Sequence, residues 1–232
     1  MSAMPDNTGP QEQGRRVVVL RADVGAGPAI CRRLGGDGFD VRPIDQTDFG
    51  RGTVSHVVTE AFTAGATLLV NNLCEFEPAP VIAGAGGFAA ALDDGLNSTF
   101  SACREAARIS IESGESLLII NVVSATAGVG LAGRAMEACV SAGLVAASKA
   151  LAAEWGAAGV RVNVVMVGPT ETWQPDGGSL DDIPGVLPLG RLVVDDDVAA
   201  AVAGLSASDL GAVTGHVFAV DAGWLAHGWR RE

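Results

Sequence analysis

The stretch from Met136 to Trp155, MEACVSAGLVAASKALAAEW, carries Lys149 in an A-A-S-K context that looks like half of a proton-transfer pair. A lysine one helical turn beyond a tyrosine lowers the phenol's pKa by its charge and readies it for acid–base work. This chain has no tyrosine at all. A second candidate is R-A-D-V-G-A-G, Arg21 to Gly27, where Gly25 and Gly27 would let a pyrophosphate approach the backbone and a helix N-terminus. A plain tight turn uses the same glycines. Cys31, Cys74, Cys103 and Cys139 show no C-x-x-C spacing, and His56, His216 and His227 form no ligand pattern, so no metal site is expected.

Short apolar runs must position these residues: Val17 to Leu20, Thr67 to Val70, Leu117 to Val123, Val160 to Val167 and Val217 to Val220. Continuous Val/Ile/Leu runs suit strands buried on both faces. Between them the pattern predicts helices at Pro28 to Gly35, Thr53 to Thr63, Phe88 to Ser113, Ala135 to Ala157 and Asp196 to Ser206. The alternation implies βαβ units and one α/β domain with a single Rossmann-like, doubly wound parallel sheet, spanning 16–232. Gly168 to Leu189, rich in Pro, Gly and Asp, reads as a long loop beyond a strand's carboxyl end, where such folds bind ligands.

Composition narrows the partners. With 48% hydrophobic and 18% charged residues in 232, the chain can bury one large core. A net charge of −12 argues against nucleic acid or an anionic membrane. Residues 1–15 are polar and read as a disordered leader rather than a signal peptide. No apolar run is expected to span a bilayer, and a cytoplasmic location with reduced thiols follows as the expectation.

Further landmarks fall in a telling order: N-N-L-C (Asn71 to Cys74), Asn97, Ser124, V-G-P-T-E-T (Val167 to Thr172) and V-T-G-H-V-F-A-V-D-A-G-W (Val213 to Trp224). Over nearly all of 16–225 this resembles the short-chain dehydrogenase/reductase family. The resemblance implies an NAD site at Gly25, Gly27, Asp45 and Asn71, and a tetrad of Asn, Ser, Tyr and Lys. In active members the Ser precedes the Tyr by 13 positions, and Ser124 to Glu137 is the same interval. Counting back from A-L-A-A-E (Ala150 to Glu154) gives the same register. The tetrad positions are therefore Asn97, Ser124, Glu137 and Ser141, and Lys149 lies eight residues too late.

By that resemblance the tyrosine exchanges a proton with the substrate oxygen as hydride moves, and the lysine holds the nicotinamide ribose. Ser141 supplies no cation, and a Glu137 anion would repel a developing alkoxide. Arg21 stands where the family has its first glycine. The chain also reads as shortened between the glycine-rich turn and D-Q-T-D (Asp45 to Asp48), which would remove part of an adenosine pocket. No cofactor is expected on this chain.

The family assembles through the helix with the Asn, the helix with the Tyr, and the last helix and strand. Here Ala138 to Ala153 is rich in small residues, and Trp224 and Trp229 read as exposed. The reading is a silent subunit beside an active, NAD-bearing short-chain dehydrogenase in a hetero-oligomer, expected to be a tetramer. It resembles the degenerate chain of heterotetrameric hydroxyacyl-CoA dehydrogenases. The alternatives are a cofactor-free lyase, cyclase or dehalogenase-like enzyme using Ser124 and Glu137, or a reductase using Glu137 directly.

Overall fold

The computed structural model describes residues 14–48, 53–73, 87–172, 185 and 187–227. The expected leader lies almost wholly outside them, as do Cys74, Trp229 and most of the Gly168 to Leu189 loop.

Six parallel strands form one sheet in the order β2-β1-β3-β4-β5-β6. They are β1 (Arg16–Leu20), β2 (Asp40–Ile44), β3 (Ala66–Asn72), β4 (Leu117–Ser124), β5 (Val160–Val167) and β6 (Val217–Val220). Helices α1 (Gly27–Gly36), α2 (Thr53–Thr63), α3 (Phe88–Ala91), α4 (Ser98–Ser113), α5 (Ala135–Trp155), α6 (Asp195–Ser206) and α7 (Trp224–His227) complete the described architecture. Alternation along the buried strands divides the core. Val17, Val19, Leu68, Val70, Leu118 and Ile120 join the cluster beneath α1 and α6. Val18, Leu20, Leu69, Leu117 and Ile119 join the one beneath α2 and α4.

Five apolar runs led to five expected strands, and β2 is the sixth. Its D-V-R-P-I lacks an apolar run because it lies at the sheet edge, where Pro43 is tolerated and Asp40 and Arg42 reach solvent. The six-stranded dinucleotide order 3-2-1-4-5-6 places two strands outside β1. Among the described residues there is one, which puts the shortening in the first half of the sheet.

The helix expected from Phe88 to Ser113 is interrupted. A π-helical segment, Leu92–Asn97, separates α3 from α4. Trp224, expected to be exposed, is buried against the core at the start of α7. The helix spanning α5 and its 3-10 extension, Ala135–Ala158, is long and apolar enough to cross a membrane by length and composition alone. Val140, Leu144 and Leu151 pack it into the core, which accounts for that apolarity without a bilayer.

The C-terminal block is held to β5 by side chains. Asn163 donates to the Val213 carbonyl (2.9 Å) and accepts from His216 N–H (3.1 Å), while Thr214 accepts from Val162 N–H (3.0 Å). Asp221 accepts from Gly223 N–H (2.9 Å) and Leu225 N–H (2.8 Å), fixing the start of α7. Gly168 is required where β5 ends, because an added Cβ would sit 2.5 Å from Asp221 Cα. Gly168→Ala is expected to lower stability by about 1–3 kcal/mol in urea unfolding. Gly130→Ala, with nothing within 4 Å, should change it by less than about 0.5 kcal/mol.

Candidate functional site

The carboxyl ends of β1, β3, β4 and β5 converge on one edge of the sheet, which is where an open α/β fold presents its crevice. The turn after β1 opens with Arg21 at φ +54°, a left-handed conformation that costs a non-glycine residue about 1–2 kcal/mol. Three contacts offset that cost. Asn72, at the end of β3, donates to the Arg21 (3.0 Å) and Val24 (2.8 Å) carbonyls. The Arg21 guanidinium, largely buried, donates to the Asp94 carbonyl in the π segment at 2.7 Å.

Gly27 cannot be replaced without movement, since a Cβ would lie 2.6 Å from the Arg21 carbonyl. Its N–H donates to the Val24 carbonyl (2.9 Å), and the next helical residue is Pro28, which has none. The first two positions of α1 therefore offer no free N–H to an anion. Asp23, exposed at the turn, accepts from Gln46 N–H at 2.7 Å and bridges the ends of β1 and β2. Asp45 follows β2 directly, exposed, at the strand end where dinucleotide folds place a ribose-binding acid.

Beside the turn, Ser124 ends β4. Its Oγ accepts from Thr126 N–H (3.2 Å) and Thr126 Oγ1 (3.0 Å), and its own N–H donates to Ser141 Oγ on α5 (3.3 Å). Glu137 is buried and paired with Arg134, whose Nη1 donates to Glu137 Oε2 at 2.9 Å. Both side chains are under a tenth exposed. Arg134 is the residue sequence reasoning missed, and its signal was the Arg/Glu spacing of three across the start of α5. Ser124 and Glu137 share a cavity of about 30 Å³ with Gly25, Ala26, Thr170 and Asp195 among its described lining. That is room for a water molecule or so.

The other expected residues lie elsewhere. Asn97 is exposed at the end of the π segment and donates to Asp93 Oδ1 (3.0 Å). Asn71 points to the opposite side of β3 from Asn72, donating to Asn121 Oδ1 (2.6 Å) and Cys103 Sγ (3.3 Å). Asn121 continues the chain to Ser148 Oγ at 2.9 Å. Lys149 is exposed on α5. Of the V-G-P-T-E-T residues, Thr170 forms a bridge with Val193, and Glu171 and Thr172 are exposed. Among the described residues no group of three or more His, Cys, Asp or Glu could hold a metal ion.

Two predictions follow from these buried groups. Glu137→Leu breaks the buried ion pair with Arg134 and should cost about 3–5 kcal/mol in chemical denaturation, whereas Arg134→Met/Glu137→Leu together should recover most of it. Burial pushes the Cys103 thiol up to about 12, from an ordinary value of 9.0. A pKa raised on folding stabilises fully below the unfolded value and is lost as pH climbs through the folded one. Stability should therefore fall between pH 9 and 12, by up to about 1.4 kcal/mol per pH unit, and Cys103→Ala should flatten that decline.

Comparison with known proteins places this architecture. The family model described as enoyl-(acyl carrier protein) reductase matches residues 11–225. The chain is 27% identical over 224 residues to D-threitol dehydrogenase of Mycolicibacterium smegmatis, covering 91% of this chain and 84% of the relative. It is 28% identical to a hydroxy(phenyl)methyl-succinyl-CoA dehydrogenase subunit of Thauera aromatica, covering 92% and 96%. A short-chain dehydrogenase structure from Bacillus anthracis superposes with a TM-score of 0.83 over 93% of this chain and 98% of its own, at 22% identity. A Serratia marcescens short-chain dehydrogenase/reductase variant gives 0.81 at 25% identity, over 92% and 99%. Six parallel strands, the glycine-rich turn after β1 and the matched length together make this chain a member of the short-chain dehydrogenase/reductase family.

Proposed function

We propose that this chain is a non-catalytic subunit of a hetero-oligomeric, NAD-dependent short-chain dehydrogenase acting on an alcohol or hydroxyacyl-CoA, and that it supports a partner chain that carries out the reaction. The observation that carries this reading is the buried Arg134–Glu137 ion pair at the head of α5. It stands where the family's proton-transferring tyrosine is expected, in a chain without tyrosine. An ion pair there offers no phenol, and Ser141 in the lysine position is engaged with the Ser124 backbone. A nicotinamide ribose would meet no cation from that position.

Two features of the turn also weigh against a dinucleotide in this reading. The described cavity between the turn, Ser124 and Glu137 is about 30 Å³, beside a second of about 300 Å³ that shares Thr170, Thr172 and Asp195 with it. Of the N–H groups a pyrophosphate would use at the turn, that of Gly27 is bonded to the Val24 carbonyl and Pro28 has none. Asp23 adds a carboxylate at the same mouth. In this reading the chain binds no NAD, and the cofactor belongs to the active partner. The similarity to a dehydrogenase subunit from Thauera aromatica, over nearly the full length of both chains, supports the same direction.

The test is isolation from native cells under mild conditions, with stoichiometric companions identified by mass spectrometry. The expected companion is a short-chain dehydrogenase retaining both Tyr and Lys, whose turnover falls when this chain is removed. The isolated chain should neither oxidise alcohols nor quench NADH fluorescence. Recovery as a homo-oligomer alone would sink the proposal.

A further inference from the structure

In dinucleotide-binding folds the glycine-rich turn contacts bound phosphates on one side and neighbouring strand ends on the other. Here several groups of the turn are bonded by the chain itself. Its carbonyls at Arg21 and Val24 accept from Asn72, its Ala22 N–H donates to the Ile44 carbonyl (3.0 Å), and its Gly27 N–H folds back to Val24. Two side chains of the turn then reach outward. Arg21 extends across to Asp94 in the π segment, and Asp23 extends to Gln46 beyond β2.

The Arg21 contact has a structural precondition. A π-helical stretch departs from the regular i to i−4 ladder, and a backbone carbonyl with two lone pairs can take a donor from outside the helix. Asp94 lies inside Leu92–Asn97, and its carbonyl accepts from a guanidinium 73 positions away in sequence. A glycine at position 21 would permit the same backbone shape but supply no such bond. The replacement keeps the left-handed turn and adds a tether.

We propose that Arg21 and Asp23 are positioning residues that form an internal clamp, ordering the glycine-rich turn in the role a bound dinucleotide plays elsewhere, and coupling it to the π segment ahead of α4 and to the turn after β2. The clamp rests on the cofactor-free reading given above, because a turn ordered from within gains nothing from a phosphate. It explains how the crevice keeps its form with a non-glycine residue at φ +54°.

Hydrogen–deuterium exchange on the full chain tests the clamp, comparing the wild type, Arg21→Gly, Arg21→Lys and Asp23→Ala, each with and without about 1 mM NADH. Loss of a charge-assisted bond to a backbone carbonyl predicts roughly tenfold faster exchange in Arg21→Gly at 21–27 and at 92–97 together. Arg21→Lys, which keeps the charge without the planar fork, should fall between, and it carries the test if the glycine variant does not fold. Asp23→Ala should speed exchange at the Gln46 amide and leave 92–97 unchanged. Faster exchange at 21–27 with 92–97 unaltered in both Arg21 variants would overturn the coupling alone. Protection of 21–27 by NADH in the wild type would overturn the cofactor-free reading, and the clamp's ligand-replacing role with it.

Discussion

A parallel sheet ends all its strands in the same direction, so unpaired backbone groups and the turns that follow accumulate along one edge. Those groups must be bonded by ligand, water or the protein itself. In this chain the protein does it. Asn72 reaches from β3 to two carbonyls of the turn after β1, Ser141 reaches from α5 to the end of β4, and Asp23 joins the turns after β1 and β2. The remaining features of the site follow from that closure. α1 begins with Gly27 and Pro28 already accounted for, and Thr126 donates to Ser124 Oγ just beyond β4.

Such closure separates two properties that a catalytic family member joins. The short-chain dehydrogenase shape persists, as TM-scores above 0.8 attest, while Glu137 and Ser141 stand where the family resemblance expects Tyr and Lys. A domain whose strand ends are bonded by its own side chains holds that edge in one form. In the proposed assembly that constancy is what a supporting subunit contributes. Loss of one strand beyond β1 removes part of the nucleotide half without disturbing β3, β4 and β5, which remain fully paired.

The buried strands were legible in the sequence because two-sided burial demands uninterrupted apolar runs, and Leu117 to Val123 and Val160 to Val167 carry that signature. β2 was not legible, since an edge strand need not be apolar and Pro43 reads as a breaker. Likewise the π segment left no trace in helical periodicity. At the site, counting along α5 assigned Glu137 and Ser141, and the fold brings Ser141 to the Ser124 backbone and Glu137 into the same cavity. Asn71 and Asn72 show the limit of motif reading: adjacent, alike, and on opposite faces of β3, with only Asn72 on the turn. Arg134 escaped because no family motif names it, and only the folded helix start reveals that Glu137 has a cation beside it.

That pair also distinguishes replacement from simple decay. A carboxylate arriving at a buried helix position without compensation would be lost, since an unpaired buried charge costs several kcal/mol. Arg134 lies three residues earlier, buried as deeply, with its guanidinium on the carboxylate. An apolar pair of similar volume would often serve stability equally well, so stability alone does not account for two charges here. What an ion pair adds is direction: Arg134 immediately precedes α5, and its bond to Glu137 fixes where the helix begins relative to Ser124. The start of α5 is thereby set by a polar lock in the region that an active relative would set around its tyrosine. The geometry of that helix is kept, and a buried ion pair holds its start.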